Sequence, residues 1–246
     1  MKPQFAQKYG DFEQWHWWFR ARQRILEALI RRAYNGQRNL SIVTVGCGPA
    51  AGLAWLVSLA GPQGRVVGLD SDPSHATELP PGADYVVGKL EERPLAGSAF
   101  DLVLALDVLE HLDDDVAGLR EAVRLMKPGG MLILTVPALP SLWGKQDEVS
   151  HHRRRYTRRM LYDTFERAAL SRPAVSYFNT FLLPPIAAIR WLRRLQGGSQ
   201  ATRSDFEDNH PGPVNQVLTA IFSAERHLIQ RIPLPLGVSL LATLRR

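Results

Sequence analysis

The chain has 246 residues, 45% of them hydrophobic and 22% charged, with a formal net charge of +6. That length supports one α/β domain with a sizeable core, and no apolar run approaches the roughly 20 residues a bilayer span needs. One cysteine, Cys47, excludes an internal disulfide framework and fits a reducing compartment. No charged-then-apolar leader opens the sequence, so a cytoplasmic location is expected, with peripheral contact at a membrane as an option. The positive balance comes largely from arginines, as in Arg153-Arg154-Arg155 and Arg193-Arg194. Such an excess points to an anionic neighbour or to a solvated face.

In chain order, Trp15-His16-Trp17-Trp18-Phe19 leads into a helical pattern, with Ile25, Leu26, Leu29 and Ile30 on one face and Asn35-Gly36 at its end. Strand-like runs follow at 40–45, 66–69, 85–87, 102–106 and 131–136. Helices are expected at 51–59, briefly near Ser74, and at 116–126, and Lys127-Pro128-Gly129-Gly130 reads as a turn. This alternation predicts a parallel sheet with right-handed crossovers. Thr157 can cap a helix over 158–170, and 173–178 can form a strand. Helices over 182–195 and 214–232, separated by a polar linker at 197–209, are expected to form a lid before a last strand at 238–244. The division is thus one domain: a cap helix in 1–36, a ligand-binding core at 37–137, and an acceptor-side region at 138–246 with lid helices within 179–235.

The first strand ends in Gly46-Cys47-Gly48-Pro49-Ala50-Ala51, and the second ends in Asp70, 24 residues beyond Gly46. Glycines let a ligand approach bare backbone, and a carboxylate at that distance can take ribose hydroxyls. Taken with Asp101-Leu102-Val103-Leu104-Ala105-Leu106-Asp107-Val108-Leu109-Glu110-His111 and Leu125-Met126-Lys127-Pro128-Gly129-Gly130, the set resembles the class I S-adenosylmethionine-dependent methyltransferases. The His-Trp-Trp-Phe opening and the downstream His-His-Arg-Arg-Arg-Tyr are similar to a bacterial subgroup of that family.

The resemblance implies a Rossmann-like, seven-stranded, mostly parallel sheet with helices on both faces, an N-terminal cap helix and a C-terminal helical lid. Its cofactor is S-adenosylmethionine. Gly46, Cys47 and Gly48 would pack against the methionyl and ribose part, Asp70 would take the ribose hydroxyls, and Ser71 and Leu90 would flank the adenine. Leu106 and Asp107 would stand beside the methionyl group. Lys89 stands where the family often has an aspartate, so adenine contact falls to backbone atoms or Glu91. Trp17 and Trp18 can wall the cofactor or acceptor, with a nearby arginine for the methionyl carboxylate, or can simply pack the helix.

His151 and His152 follow the fifth strand, and an imidazole is the side chain whose reference pKa lies near neutrality, so either can serve as a base, with Tyr156 on the acceptor. Asp107-Val108-Leu109-Glu110-His111 is similar to the divalent-cation block of ubiquinone-pathway O-methyltransferases, and Asp107, Glu110 and His111 with one of those histidines would hold the ion. The expected activity is methyl transfer to a small-molecule or lipid-like acceptor, at oxygen. The alternatives are an RNA methyltransferase, a nicotinamide-dependent reductase and a non-catalytic binder of the cofactor.

Overall fold

The structure is a computed structural model that describes residues 10–35, 39–195 and 205–246. Gly36, the first nine residues and most of the expected 197–209 linker lie outside the described residues.

Seven strands form one sheet: β1 (Ser41–Val45), β2 (Arg65–Asp70), β3 (Ala83–Val87), β4 (Phe100–Leu106), β5 (Met126–Pro137), β6 (Ala174–Phe178) and β7 (Ser239–Arg245), in the spatial order β3-β2-β1-β4-β5-β7-β6. The pairings from β3 to β5 are parallel, and β7 runs antiparallel to both β5 and β6. Strand alternation makes two cores. Val43, Val67, Val103 and Leu132 face one side, and Ile42, Val66, Leu102 and Ile133 face the other. Fully burying each such side chain contributes about 1.5–3 kcal/mol.

The second core is covered by α1 (Trp17–Ala33), α2 (Ala54–Ala60) and α7 (Pro213–Ala224), through Ile25 and Leu26, Leu56, and Phe222. The first is covered by α3 (Asp115–Arg124) and α5 (Arg158–Arg167), through Leu119 and Phe165. Side chains start these helices: His16 Nδ1 accepts from Trp18 N, Asp114 from Ala117 N, and Thr157 from Met160 N. A short helix α4 (Lys145–Val149) follows β5, and α6 (Leu183–Leu195), α7 and α8 (Arg226–Ile229) lie between β6 and β7.

Two expectations change. Lys127-Pro128-Gly129-Gly130 is not a free turn but the bulged start of β5: Phe100 pairs with Met126 and Leu102 with Met131. Gly129 N donates to Arg246 O, and Arg246 N to Gly130 O, which ties the bulge to the end of β7. The helix expected over 214–232 breaks at Glu225. That residue is fully buried, and its carboxylate accepts Thr180 N at 2.6 Å and Phe181 N at 2.9 Å.

Candidate active site

Strand order reverses between β1 and β4, which leaves a crevice at their carboxyl ends. A cavity of about 790 Å³ occupies it. The glycine turn after β1 forms part of its floor. Gly46 has φ +60° and Gly48 φ +66°. A Cβ on Gly46 would stand 2.8 Å from Val108 Cγ2, so only glycine fits the turn. Asp70 grips the turn from β2: Oδ2 accepts Gly48 N at 2.8 Å and Oδ1 accepts Asp72 N at 3.0 Å. Each oxygen retains a lone pair for another donor. Ser71, Leu90, Leu106 and Asp107 line the same cavity, as do Trp17 and Trp18.

Cys47 does not line it. Its thiol turns toward Gly68 and Tyr85 behind the turn, where burial and then the Asp70 charge push it up to about 12. Cys47 contributes to the turn through its backbone, with N donating to Leu69 O at 3.2 Å.

Asp107 follows β4 in the left-handed region, φ +57°, with its N–H bonded to Thr135 O at 2.9 Å. Its carboxylate is paired with Arg22 of α1. The Arg22 guanidinium also lies over the Trp18 ring, 4.3 Å from the centroid. The arginine expected to be free for a ligand carboxylate therefore already has a counter-ion.

On the acceptor side, Asp147 of α4 gathers the charges. It is fully buried; Oδ1 accepts from Arg155 Nε at 2.7 Å and lies 2.9 Å from His152 Nδ1, and Oδ2 accepts Gly144 N at 2.8 Å. Burial pushes this carboxyl up, but the His152 bond and the Arg155 charge outweigh it and bring it to about 2. An ionised acceptor at Nδ1 fixes the hydrogen of His152 there, which leaves Nε2 as the basic atom. Nε2 lies 4.0 Å from Glu110 Oε1.

Glu110 is fully buried, and neither side-chain oxygen has a hydrogen-bond partner. Burial, followed by the nearby Asp107 charge, pushes its carboxyl well up. His111 packs edge-on to His152, with ring centroids 4.8 Å apart, and burial keeps it neutral by lowering it to about 3. Donor atoms of Glu110, His111 and His152 fall within 4.8 Å of one another. The cation-compatible set is therefore these three residues. Asp107, expected among them, is turned to Arg22. The orphaned carboxylate between two imidazoles fits a divalent cation chemically.

His151 and Tyr156 are not brought to this cavity. His151, exposed with φ +55°, lines a separate shallow depression beside Glu148 and Arg153. Tyr156 is buried: its backbone pairs with Pro137 and Leu139, and its hydroxyl donates to Asp115 Oδ2 at 2.9 Å. It is a structural link between the strands and α3, not an acceptor contact.

Three cavity residues escaped sequence reasoning. Asn179 follows β6 with φ +56°, is fully buried, and has no partner for either side-chain polar atom. His75 lies with Nδ1 3.5 Å from Asp70 Oδ1. His16 accepts Trp18 N at Nδ1, so its buried Nε2 carries the hydrogen, again without a partner. A lone Asn or His in an aromatic or loop context gives no pattern to read; only the fold places them.

A methyltransferase-domain profile matches residues 43–134, the stretch that holds β1 to β5 and the glycine turn. Residues 43–134 therefore carry a methyltransferase domain. It is 30% identical over 125 residues to a probable S-adenosylmethionine-dependent methyltransferase of Mycolicibacterium smegmatis, covering 50% of this chain and 46% of that one. It is 36% identical over 111 residues to a ubiquinone biosynthesis O-methyltransferase of Azorhizobium caulinodans, covering 42% and 43%. The chain spans less than half the length of these curated relatives. Among solved structures, the methyltransferase domain is similar in fold to an S-adenosylmethionine-dependent methyltransferase from Mesorhizobium loti. The TM-score is 0.54 at 16% identity, with 89% of this chain and 96% of that one covered. A second such enzyme, from Archaeoglobus fulgidus, gives TM-score 0.54 at 14% identity, with 91% and 94% covered.

Proposed function

We propose that this chain transfers a methyl group from S-adenosylmethionine to an oxygen of a small-molecule or lipid-like acceptor. When bound, that donor supplies an activated sulfonium methyl. Gly46, Gly48 and Asp70 hold its nucleoside, Ser71 and Leu90 border the adenine, and Leu106 and Trp18 wall the rest. The observation that carries the oxygen assignment is His152 on the cavity wall, held from behind by the buried Asp147. A hydroxyl acceptor must shed a proton, and His152 Nε2 is an oriented base for it. Burial beneath the lid excludes water and holds the acceptor in line.

Glu110, His111 and His152 would hold a divalent cation, whose chemistry is to acidify a bound hydroxyl. His152 then serves as a ligand instead of a free base. The curated relative named for ubiquinone biosynthesis O-methylation supports an oxygen acceptor. The arginine cluster does not favour RNA. Arg153 pairs with Asp113, Arg154 with Asp115 and Arg155 with Asp147, and Arg158 bonds to Leu234 O.

The test is incubation of the purified chain and methyl-labelled donor with fractionated lipid, metabolite and RNA extracts. Label in an ether or ester product of a lipid or metabolite fraction is the expected result. Label in RNA would overturn the acceptor class, and tight donor binding with no transfer would leave a cofactor-binding protein.

A further inference from the structure

Helices α6 and α7 are built inside out. On α6, Arg190 and Arg193 turn inward to Asp205, at 3.0 and 2.8 Å, and Arg193 also pairs with Asp208. Among the described side chains of α6 the exposed ones are Pro184, Pro185, Ala188, Ile189, Trp191, Leu192 and Leu195, all apolar and mostly at helical spacing. Trp191 is 61% and Leu195 65% exposed. On α7 the buried face holds Asn215, Thr219 and Ser223 beside Phe222, and Asn215 is bonded to Trp17 N and Trp15 O. Its exposed positions are Pro213, Val214, Val217, Ala220, Ile221 and Ala224, interrupted by one polar residue, Gln216, with Val214 67% exposed.

The two helices run antiparallel and are tied at both ends. Phe181 N, before α6, bonds to Glu225 at the end of α7. At the other end, Arg193 bonds to Asp208, just before α7. Their inner side chains Ile186, Leu218 and Phe222 pack on the same core. Both helices therefore turn a largely apolar face to solvent, and exposed apolar surface of this kind marks an interaction site. Cations border it. Arg24 of α1 reaches Ser223 Oγ, Arg32 reaches Gln230 O, and Arg231 follows α8; all three are exposed. None of them is paired with a carboxylate among the described residues.

We infer that this face docks on an anionic lipid surface. The apolar side chains enter the interface, Trp191 sits at headgroup level, and the arginines meet the lipid phosphates. The charge distribution selects this occupant over a second copy. A twofold contact would set each arginine border against the other, whereas an anionic bilayer neutralises both. Ile186 and Ile189 of α6 also line the cavity. An amphiphilic acceptor can thus pass from the bilayer under α6, a step that rests on the methyl-transfer reading above.

The test is cosedimentation of the full chain with vesicles of phosphatidylcholine alone and of phosphatidylcholine with phosphatidylglycerol. Binding only to the anionic vesicles is expected, weakening as salt rises. Trp191→Ser with Leu195→Ser should lower the partition on the order of tenfold. Arg24→Gln with Arg231→Gln should lower it by a similar factor. These positions are exposed, so thermal melts of the variants should match the parent. No binding to anionic vesicles, or binding untouched by Trp191→Ser with Leu195→Ser, overturns the inference. So does a concentration-dependent dimer that the same substitutions abolish. Calorimetry with S-adenosylmethionine separates the two readings. Absent donor binding would remove the methyl-transfer reading and leave the lipid result standing, and failed cosedimentation would do the reverse.

Discussion

His152 Nδ1 stands 2.9 Å from Asp147 Oδ1, the same oxygen that accepts from Arg155 Nε. The carboxylate therefore fixes which imidazole nitrogen is basic. Replacing His152 with alanine should slow turnover on the order of 10²–10⁴-fold and leave donor affinity unchanged. Single-turnover rates beside calorimetric donor binding check this, and undiminished turnover would remove His152 from the reaction. Asp147→Asn should in addition destabilise the fold by about 3–5 kcal/mol, because Arg155 is left buried without its counter-charge.

Asp70 holds both the glycine turn and, on the proposed reading, the ribose. Asp70→Ala should weaken S-adenosylmethionine binding by about 1–3 kcal/mol, the range for losing charged hydrogen bonds. Isothermal titration measures this directly. An unchanged dissociation constant would assign the carboxylate to the turn alone.

Glu110 carries an uncompensated carboxyl in a closed setting. In chelator-treated protein, Glu110→Gln should raise Tm, because it replaces a buried acid with a neutral group of similar shape. The same variant should lose binding of magnesium or manganese that the wild type shows by calorimetry. A wild type that takes up neither ion would end the cation reading.

His16 supplies a pH-dependent term. Burial lowers it from 6.5 to about 4. Between those values the unfolded chain binds the proton and the folded chain does not. Stability therefore rises with pH through this window and is lost on acidification from about 6.5 toward about 4. Asparagine can still cap α1, so His16→Asn should keep the helix start and reduce the acid-side fall in Tm. Melting curves of both proteins across that range decide it; parallel curves would mean that His16 does not contribute.

Strands β1, β2, β4 and β5 were legible because parallel strands buried on both faces read as continuous runs such as Ile42 to Val45 and Leu102 to Leu106, whereas β3, half-exposed at the sheet edge, showed only its last three residues. The glycine turn and Asp70 followed from backbone needs that few residue types meet. The acceptor side was less legible. His152 and Tyr156 lie four positions apart after the same strand, yet one faces the cavity and the other is locked to Asp115. Their loop has no periodicity that tells the two apart. The lid helices show a second reason. Helical spacing defines an apolar and a polar face, but it does not say which one turns inward. Arg190 and Arg193 turn inward because Asp205 and Asp208, beyond the end of the helix, come back to meet them. Asn179 and Glu225 were invisible for the same reason, since their environment is assembled from segments about 45 residues apart.

The Arg22–Asp107 pair fastens α1 to the end of β4. Sliding that helix away would strip Asp107 of its counter-charge beside an already unpaired Glu110, so the aromatic cap is the fixed jamb of the doorway. Of the pairs that hold α6, Arg190–Asp205 is about as sheltered as Arg22–Asp107, whereas Arg193–Asp208, one turn on, is partly hydrated. Separating that outer pair costs little, so the carboxyl-terminal turn of α6 is the part of the frame that yields first.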